Sequence, residues 1–367
     1  MTRQALLQLA EKSGTGYYFF EKSSLRQNIA EIREAFGVNL ELCYSIKANY
    51  YPGILDEILY SGLSFDCASI MELEMLLQRQ VPADHIWVNT PFLTDELLKF
   101  CADQDVMIVA DSLEQLRLLA QTERIVHIGL RLNFPSLDSS RFGIALTDET
   151  LKELHGILKN AQCNLRMLHT HFSGTLRSAE AFGKRVSKLT QAYTESFSDY
   201  PIELLNVGGG LAGAMPVSLA AQFDYTIPTW REYARAAQPM GLSELPASVR
   251  LALEPGMALV SNTFGFLAEV MSMKEIAGRS IALLNTTNLF LKPSGHQKQL
   301  PFHVIKRSQS KERNHELVGI SCMESDLLGH YEGSLSIGDL VAFENVGAYT
   351  QSYRPDFIFG APDIIEV

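Results

Sequence analysis

Short apolar runs recur along the first two-thirds of the chain, separated by segments whose apolar positions fall at helical spacing. The runs are LELCYSIKA (40–48), LSFDCAS (63–69), HIWVNT (85–90), VMIVAD (106–111), IVHIGLRLN (125–133), LRMLHTHFSG (165–174), ELLNVGGG (203–210) and RLALEPG (250–256). PGILDEILYSG follows the first run and is closed by Gly62, and IMELEMLLQRQ follows the second. TDELLKFCADQ and SLEQLRLLAQ follow the third and fourth, with Thr94 and Ser112 placed as helix N-caps. The centres of the first five runs recur about every 20 to 22 residues, the period of a strand–helix unit. Eight such runs match a (β/α)8 barrel, whose usual size is about 250 residues. The same alternation fits a doubly wound open sheet.

After residue 260 the pattern changes. FGFLAEVMSMKE, SIALLNTT, PFHVIKR, HELVGIS, GDLVAFENVGAY and DFIFG read as strands with no helices between them, and YYFFEK near the N-terminus joins this group. The chain therefore divides into a strand–helix domain, barrel or open sheet, over residues 26–260 and a β domain built from 1–25 with 261–367.

Composition narrows the function classes. The 367 residues carry a net charge of −11, which argues against a nucleic-acid or anionic-membrane surface while leaving room for a local anion site. The five cysteines form no Cys-x-x-Cys pair, so neither a disulfide framework nor a zinc ribbon is expected. The opening MTRQALLQLAEKSG reads as a short amphipathic helix rather than a signal peptide. No run approaches about eighteen apolar residues, so no membrane span is expected and the location expected is cytoplasmic.

Several strand ends carry chemistry. Lys47, in Tyr44-Ser45-Ile46-Lys47-Ala48-Asn49, ends the first run. At a barrel mouth it would face an active site, where burial suits a lysine to Schiff-base chemistry; read alone, it fits a snorkelling surface lysine better. Gly208-Gly209-Gly210 end the seventh run, where a barrel commonly binds phosphate through backbone N–H groups. The stretch also fits a dinucleotide fingerprint, but it lies far from a first βαβ unit. Glu254, in Glu254-Pro255-Gly256, could face a protonated pyridine nitrogen or cap a turn. His169 and His171 point to one side of their strand. No cysteine or acidic pair at metal spacing accompanies them, so His171 is read as stacked on an aromatic cofactor, His169 as a core histidine, and no metal is expected.

Taken in order, YSIKAN, FDCASIMELEML, DSLEQL, SRFGI, HTHFSG, LNVGGGLAG, EPG, the Cys322 loop and GDLVAFENVGAYT resemble the fold-type III PLP-dependent decarboxylases, which include diaminopimelate and eukaryotic-type ornithine decarboxylases. The resemblance selects the (β/α)8 TIM barrel followed by an all-β domain, and implies pyridoxal 5′-phosphate as cofactor, an amino-acid-like substrate and a homodimer with shared active sites. It implies that Lys47 holds the cofactor as an aldimine, with Asp66 and Glu72 nearby. By the same resemblance His171 would stack on the ring, Glu254 would bind its nitrogen, and Gly208, Gly209, Gly210 and Tyr349 would hold the phosphate. Cys322 would reach the site from the partner subunit and help protonate the carbanion left after CO2 departs. Lys292, Glu324 and Asp326 would lie at the substrate end.

The chain departs from this pattern at particular places. EPGR reads Glu254-Pro255-Gly256-Met257, without the arginine used for phosphate. H-x-G-S reads His171-Phe172-Ser173-Gly174, the acidic residue after Cys322 is Met323, Asp-x-Gly reads Asn285-Thr286-Thr287, and Arg-Pro reads Lys292-Pro293. These changes gather at the phosphate and substrate ends. The expectation is decarboxylation of a modified or conjugated amino acid from specialised biosynthesis, such as that of siderophores. The alternatives are a PLP racemase on a similar barrel and a non-catalytic or regulatory paralogue.

Overall fold

Eight parallel strands close on themselves: β1 (Leu40–Ser45), β2 (Ser64–Cys67), β3 (Ile86–Asn89), β4 (Met107–Ala110), β5 (Val126–Asn133), β6 (Cys163–His169), β7 (Leu204–Asn206) and β8 (Arg250–Leu253). Each is hydrogen-bonded in parallel to the next, and β8 returns to β1 through Leu251↔Leu40 and Leu253↔Leu42. The chain is described by a computed structural model covering all residues except 38, 123–124, 173–176 and 308–310. All eight apolar runs are strands of the closed barrel, so the open sheet is excluded.

Local chemistry accounts for the intervening helices. The Thr94 hydroxyl accepts Leu97 N–H at 3.1 Å and opens the helix Asp95–Gln104; Ser112 does the same for Leu113–Ala120 through Gln115 N–H at 3.2 Å. Inside the barrel, Cys43, Trp87, Val109, Met167, Leu204 and Ala252 form one buried cluster drawn from six strands. This packed floor lies below the strand ends that carry the polar residues.

Contacts divide the chain into two compact units: residues 26–213 with 225–258, and residues 1–25 with 214–224 and 259–367. The segment 214–224, placed within the barrel by the sequence reading, clusters with the β unit, where Gln222 Nε2 donates to Gln299 O at 2.9 Å.

The β unit holds a sheet in the order Phe302–Ile305, Leu340–Glu344, Phe264–Ile276, Arg279–Leu284, Glu312–Val318, Leu327–Ser334. The strand Tyr17–Phe20 joins it, antiparallel to Phe264–Leu267 and parallel to Ile364–Glu366. Two strands differ from expectation. DFIFG (356–360) forms no strand, because Pro355 and Pro362 bracket it, and the terminal strand is Ile364–Glu366. Leu327–Ser334 is a strand although Gly329 and Gly333 interrupt its side-chain alternation. The N-terminal helix Arg3–Ser13 packs Leu6, Leu9 and Ala10 on Tyr17, Phe19, Leu267 and Leu340.

Gly265 faces the Phe19 ring so closely that a Cβ would lie 2.1 Å from Phe19 Cζ. Gly265→Ala should therefore lower stability by about 1–3 kcal/mol in urea unfolding, the cost of overpacking a filled core.

Candidate active site

The turn that presents Lys47 is locked by its own motif. Past β1 the chain makes one 3-10 turn, Ile46–Ala48, in which the Tyr44 hydroxyl donates to Asn49 O at 2.8 Å and Asn49 Oδ1 accepts Tyr51 N–H at 2.9 Å. Lys47 Nζ lies 2.9 Å from Asp66 Oδ2, at the end of β2, and the same oxygen accepts the Ser45 hydroxyl at 2.8 Å. The Lys47 side chain is 42% exposed, so the amine is reachable rather than buried as the sequence reading supposed. Burial raises the Asp66 carboxyl and Lys47 opposes that rise; Asp66 Oδ1 has no partner among the described residues. Glu72, raised mainly by burial, accepts Ala68 N–H at 2.6 Å and so shapes the loop beside Asp66.

Glu254, just past β8, is 1% exposed. Its Oε1 accepts Asn206 Nδ2 at 2.7 Å and Trp87 Nε1 at 3.2 Å, while Oε2 lies 3.2 Å from His169 Nε2. Burial alone would raise this carboxyl; the charge and hydrogen bond of His169 outweigh it and hold Glu254 well below its ordinary value. His169 is fully buried and its Nε2 is satisfied by the Glu254 carboxylate.

His171 Nδ1 accepts Gly209 N–H at 3.1 Å. That bond fixes the tautomer with the proton on Nε2, so the 3.5 Å approach of Nδ1 to Glu254 Oε2 is not a second donated hydrogen bond. Burial pushes the imidazole down to about 4, leaving it neutral at physiological pH. His169, His171 and Glu254 bring three ligand-type atoms within 4.8 Å of one another. Within this group Glu254 Oε1 accepts Asn206 and Trp87, and His171 Nδ1 accepts Gly209 N–H.

The glycine run packs where side chains cannot. A Cβ on Gly208 would lie 2.5 Å from Thr170 O, one on Gly209 2.4 Å from Glu254 O, and one on Gly210 2.4 Å from Phe172 O. Gly208 and Gly210 also have positive φ, +69° and +74°. Arg177 Nη1 lies 3.6 Å from Met257 Sδ, at the position that lacks the arginine. Ser173 and Gly174 fall outside the described residues.

Further residues belong to this ring that the motifs did not single out. Arg131 on β5 is buried, with Nη1 3.3 Å from Asp111 Oδ1, which also accepts Gly143 N–H at 3.2 Å. Asn206, Arg131 and Asp111 shared one signal in the sequence: a polar group near the carboxyl end of an apolar run that the barrel buries.

Lys292, Cys322, Glu324, Asp326 and Tyr349 belong to the β unit. Asp326, expected at the substrate end, is corrected. It is buried, its Oδ1 accepts Asn288 N–H at 2.7 Å and its Oδ2 accepts Ser321 N–H at 3.1 Å. Both oxygens are therefore committed to shaping the loop that displays Cys322 and Glu324, which are exposed. Burial pushes the half-buried Lys292 ammonium below its ordinary value. Tyr349 adopts φ +57°, its ring 5.5 Å from that of Tyr353.

The sequence model of a family described as "Pyridoxal-dependent decarboxylase, pyridoxal binding domain" matches residues 22–261. The chain is similar to 2-[(L-alanin-3-ylcarbamoyl)methyl]-2-hydroxybutanedioate decarboxylase of Staphylococcus aureus, at 26% identity over 94% of this chain and 93% of that protein. It is also similar to diaminopimelate decarboxylase of Haemophilus influenzae, at 25% identity over 95% and 87%. Its fold is similar to that of diaminopimelate decarboxylase from M. jannaschii in co-complex with L-lysine, with a TM-score of 0.86 and 22% identity over 99% of this chain and 89% of that one.

The depressed His171 value has a consequence for stability. Between about 4 and the ordinary 6.5 the unfolded chain binds a proton that folded His171 refuses, so stability is full above that window and falls as pH drops through it. Urea unfolding at about pH 7 and about pH 5 should show lower stability at the acid value. His171→Gln should flatten the difference.

Proposed function

The chain belongs to the pyridoxal-dependent decarboxylase family, and we propose that it decarboxylates a conjugated α-amino acid with Lys47 as the cofactor-binding amine. The observation that carries the reading is the grouping at one barrel mouth of a reachable amine on Asp66, a buried anionic Glu254 and a close-packed glycine run joined through His171. When bound, pyridoxal 5′-phosphate supplies an aldehyde that takes up amines and a protonated ring that accepts the electron pair left by CO2.

The donor set fits that group. Lys47 would hold the aldehyde carbon, with Asp66 keeping the ammonium near its docking position until a proton must leave. Glu254, kept anionic by Asn206, Trp87 and His169, would hold the proton on the ring nitrogen. His171 would lie flat on the ring; a neutral imidazole does so without a charge that would compete with ring protonation. Gly208, Gly209 and Gly210 would receive the phosphate, with Tyr349 as a further contact. Cys322 of the partner subunit would deliver the proton that replaces CO2, and Lys292 with Glu324 would read the far end of the substrate. This assignment entails a homodimer with shared sites. The free cysteines, three of them buried, suit a reducing cytoplasm.

For substrate, we infer an α-amino acid joined through an amide to a hydroxy-dicarboxylate, as in siderophore-type biosynthesis. Two things support this: the printed name of the Staphylococcus aureus relative, and the clustering of departures at Met257, Met323, Asn285–Thr287 and Lys292 rather than at Lys47 or Glu254.

CO2 release across a panel of ornithine, lysine, diaminopimelate and citrate-conjugated diamino acids is the test. The conjugates should turn over fastest, and Lys47→Ala should fall to background. Exchange of the α-proton without CO2 would indicate a racemase; neither activity, with no cofactor bound, would indicate a non-catalytic paralogue.

A further inference from the structure

The helix Ala179–Ala192 carries Arg185 directly to the glycine run. The residue is 4% exposed, and its Nη1 donates to Val207 O at 2.8 Å and Gly209 O at 2.7 Å. Its guanidinium stacks on the Phe172 ring at 4.7 Å, and Nε is buried with no hydrogen-bond partner among the described residues. Among the described residues it forms no ion pair with a carboxylate. Burial brings its ordinary value down to about 10, so it remains a cation at neutral pH. A buried charge without a counter-ion is costly, and a neutral donor would serve equally well to hold two carbonyls.

The backbone shows where a counter-ion would sit. A trans peptide places N–H opposite C=O, so the carbonyl of Gly209 held by Arg185 belongs to the same plane as the N–H of Gly210. Gly208 N–H is taken by Asn206 Oδ1 at 2.9 Å and Gly209 N–H by His171 Nδ1 at 3.1 Å. Gly210 N–H has no acceptor among the described residues. A cation behind the carbonyl polarises that plane and adds its own field at the N–H end. We propose that Arg185 is the buried positioning charge for the cofactor's phosphate, acting through the carbonyls of the glycine run. The inference rests on the reading that this run takes the phosphate.

The test compares pyridoxal 5′-phosphate with pyridoxal, which lacks the phosphate, by absorbance titration of protein resolved from its cofactor. Two neutral variants, Arg185→Gln and Arg185→Met, are measured beside Arg185→Lys, with thermal unfolding to confirm the fold. The neutral variants should lose about tenfold or more in affinity for the phosphorylated form, with pyridoxal little changed, and Lys should keep most of the preference. An equal loss for both ligands, or an unchanged preference in Arg185→Gln, would overturn the proposal. Wild-type protein that binds neither ligand would instead sink the cofactor reading itself.

Discussion

The barrel mouth depends on one arrangement: an ionised carboxylate, Glu254, held out of water. Such a group persists only if fixed donors replace its hydration shell. Here the donors come from strands distant in sequence, Trp87 on β3, His169 on β6 and Asn206 on β7, and they meet only when the barrel closes. The fold therefore makes the anion stable, and the anion in turn fixes the neighbouring polar groups. His171 lies beside it, and His171 Nδ1 holds Gly209 N–H. The carbonyl of Glu254 leaves no room for any residue but glycine at 209.

Two carboxylates thus differ in environment, though both are buried. Glu254 is wired to donors on both oxygens and held low, whereas Asp66 has one oxygen shared by Lys47 and Ser45 and is raised by burial. That difference separates their uses. A carboxylate held low can keep a ring nitrogen protonated throughout a reaction. A carboxylate poised nearer protonation can release or accept the proton that an amine must lose before it acts as a nucleophile.

Much of this was legible in the sequence, for physical reasons. Strands buried on both faces are continuous apolar runs, so all eight barrel strands could be read directly. Lys47, Glu254, His171 and the glycine run stood out because each is costly or conspicuous at the end of such a run. Trp87, Asn206 and Arg131 were not legible, since a single polar residue in an apolar strand looks like a packing residue until closure shows what it faces. Arg185 was not legible either, since a helix arginine shows what it faces only once the glycine run packs against it. Asp326 shows the opposite error. Its place next to an implied catalytic loop suggested substrate contact, yet two backbone amides occupy its oxygens.

The account's central claim is that the amine of Lys47 takes the cofactor. Borohydride reduction of the protein with bound pyridoxal 5′-phosphate, followed by peptide mass mapping, reads that attachment directly. The account predicts the phosphopyridoxyl mass on the peptide containing Lys47 and on no other. Attachment at another lysine such as Lys292, or no stable attachment at all, would contradict it.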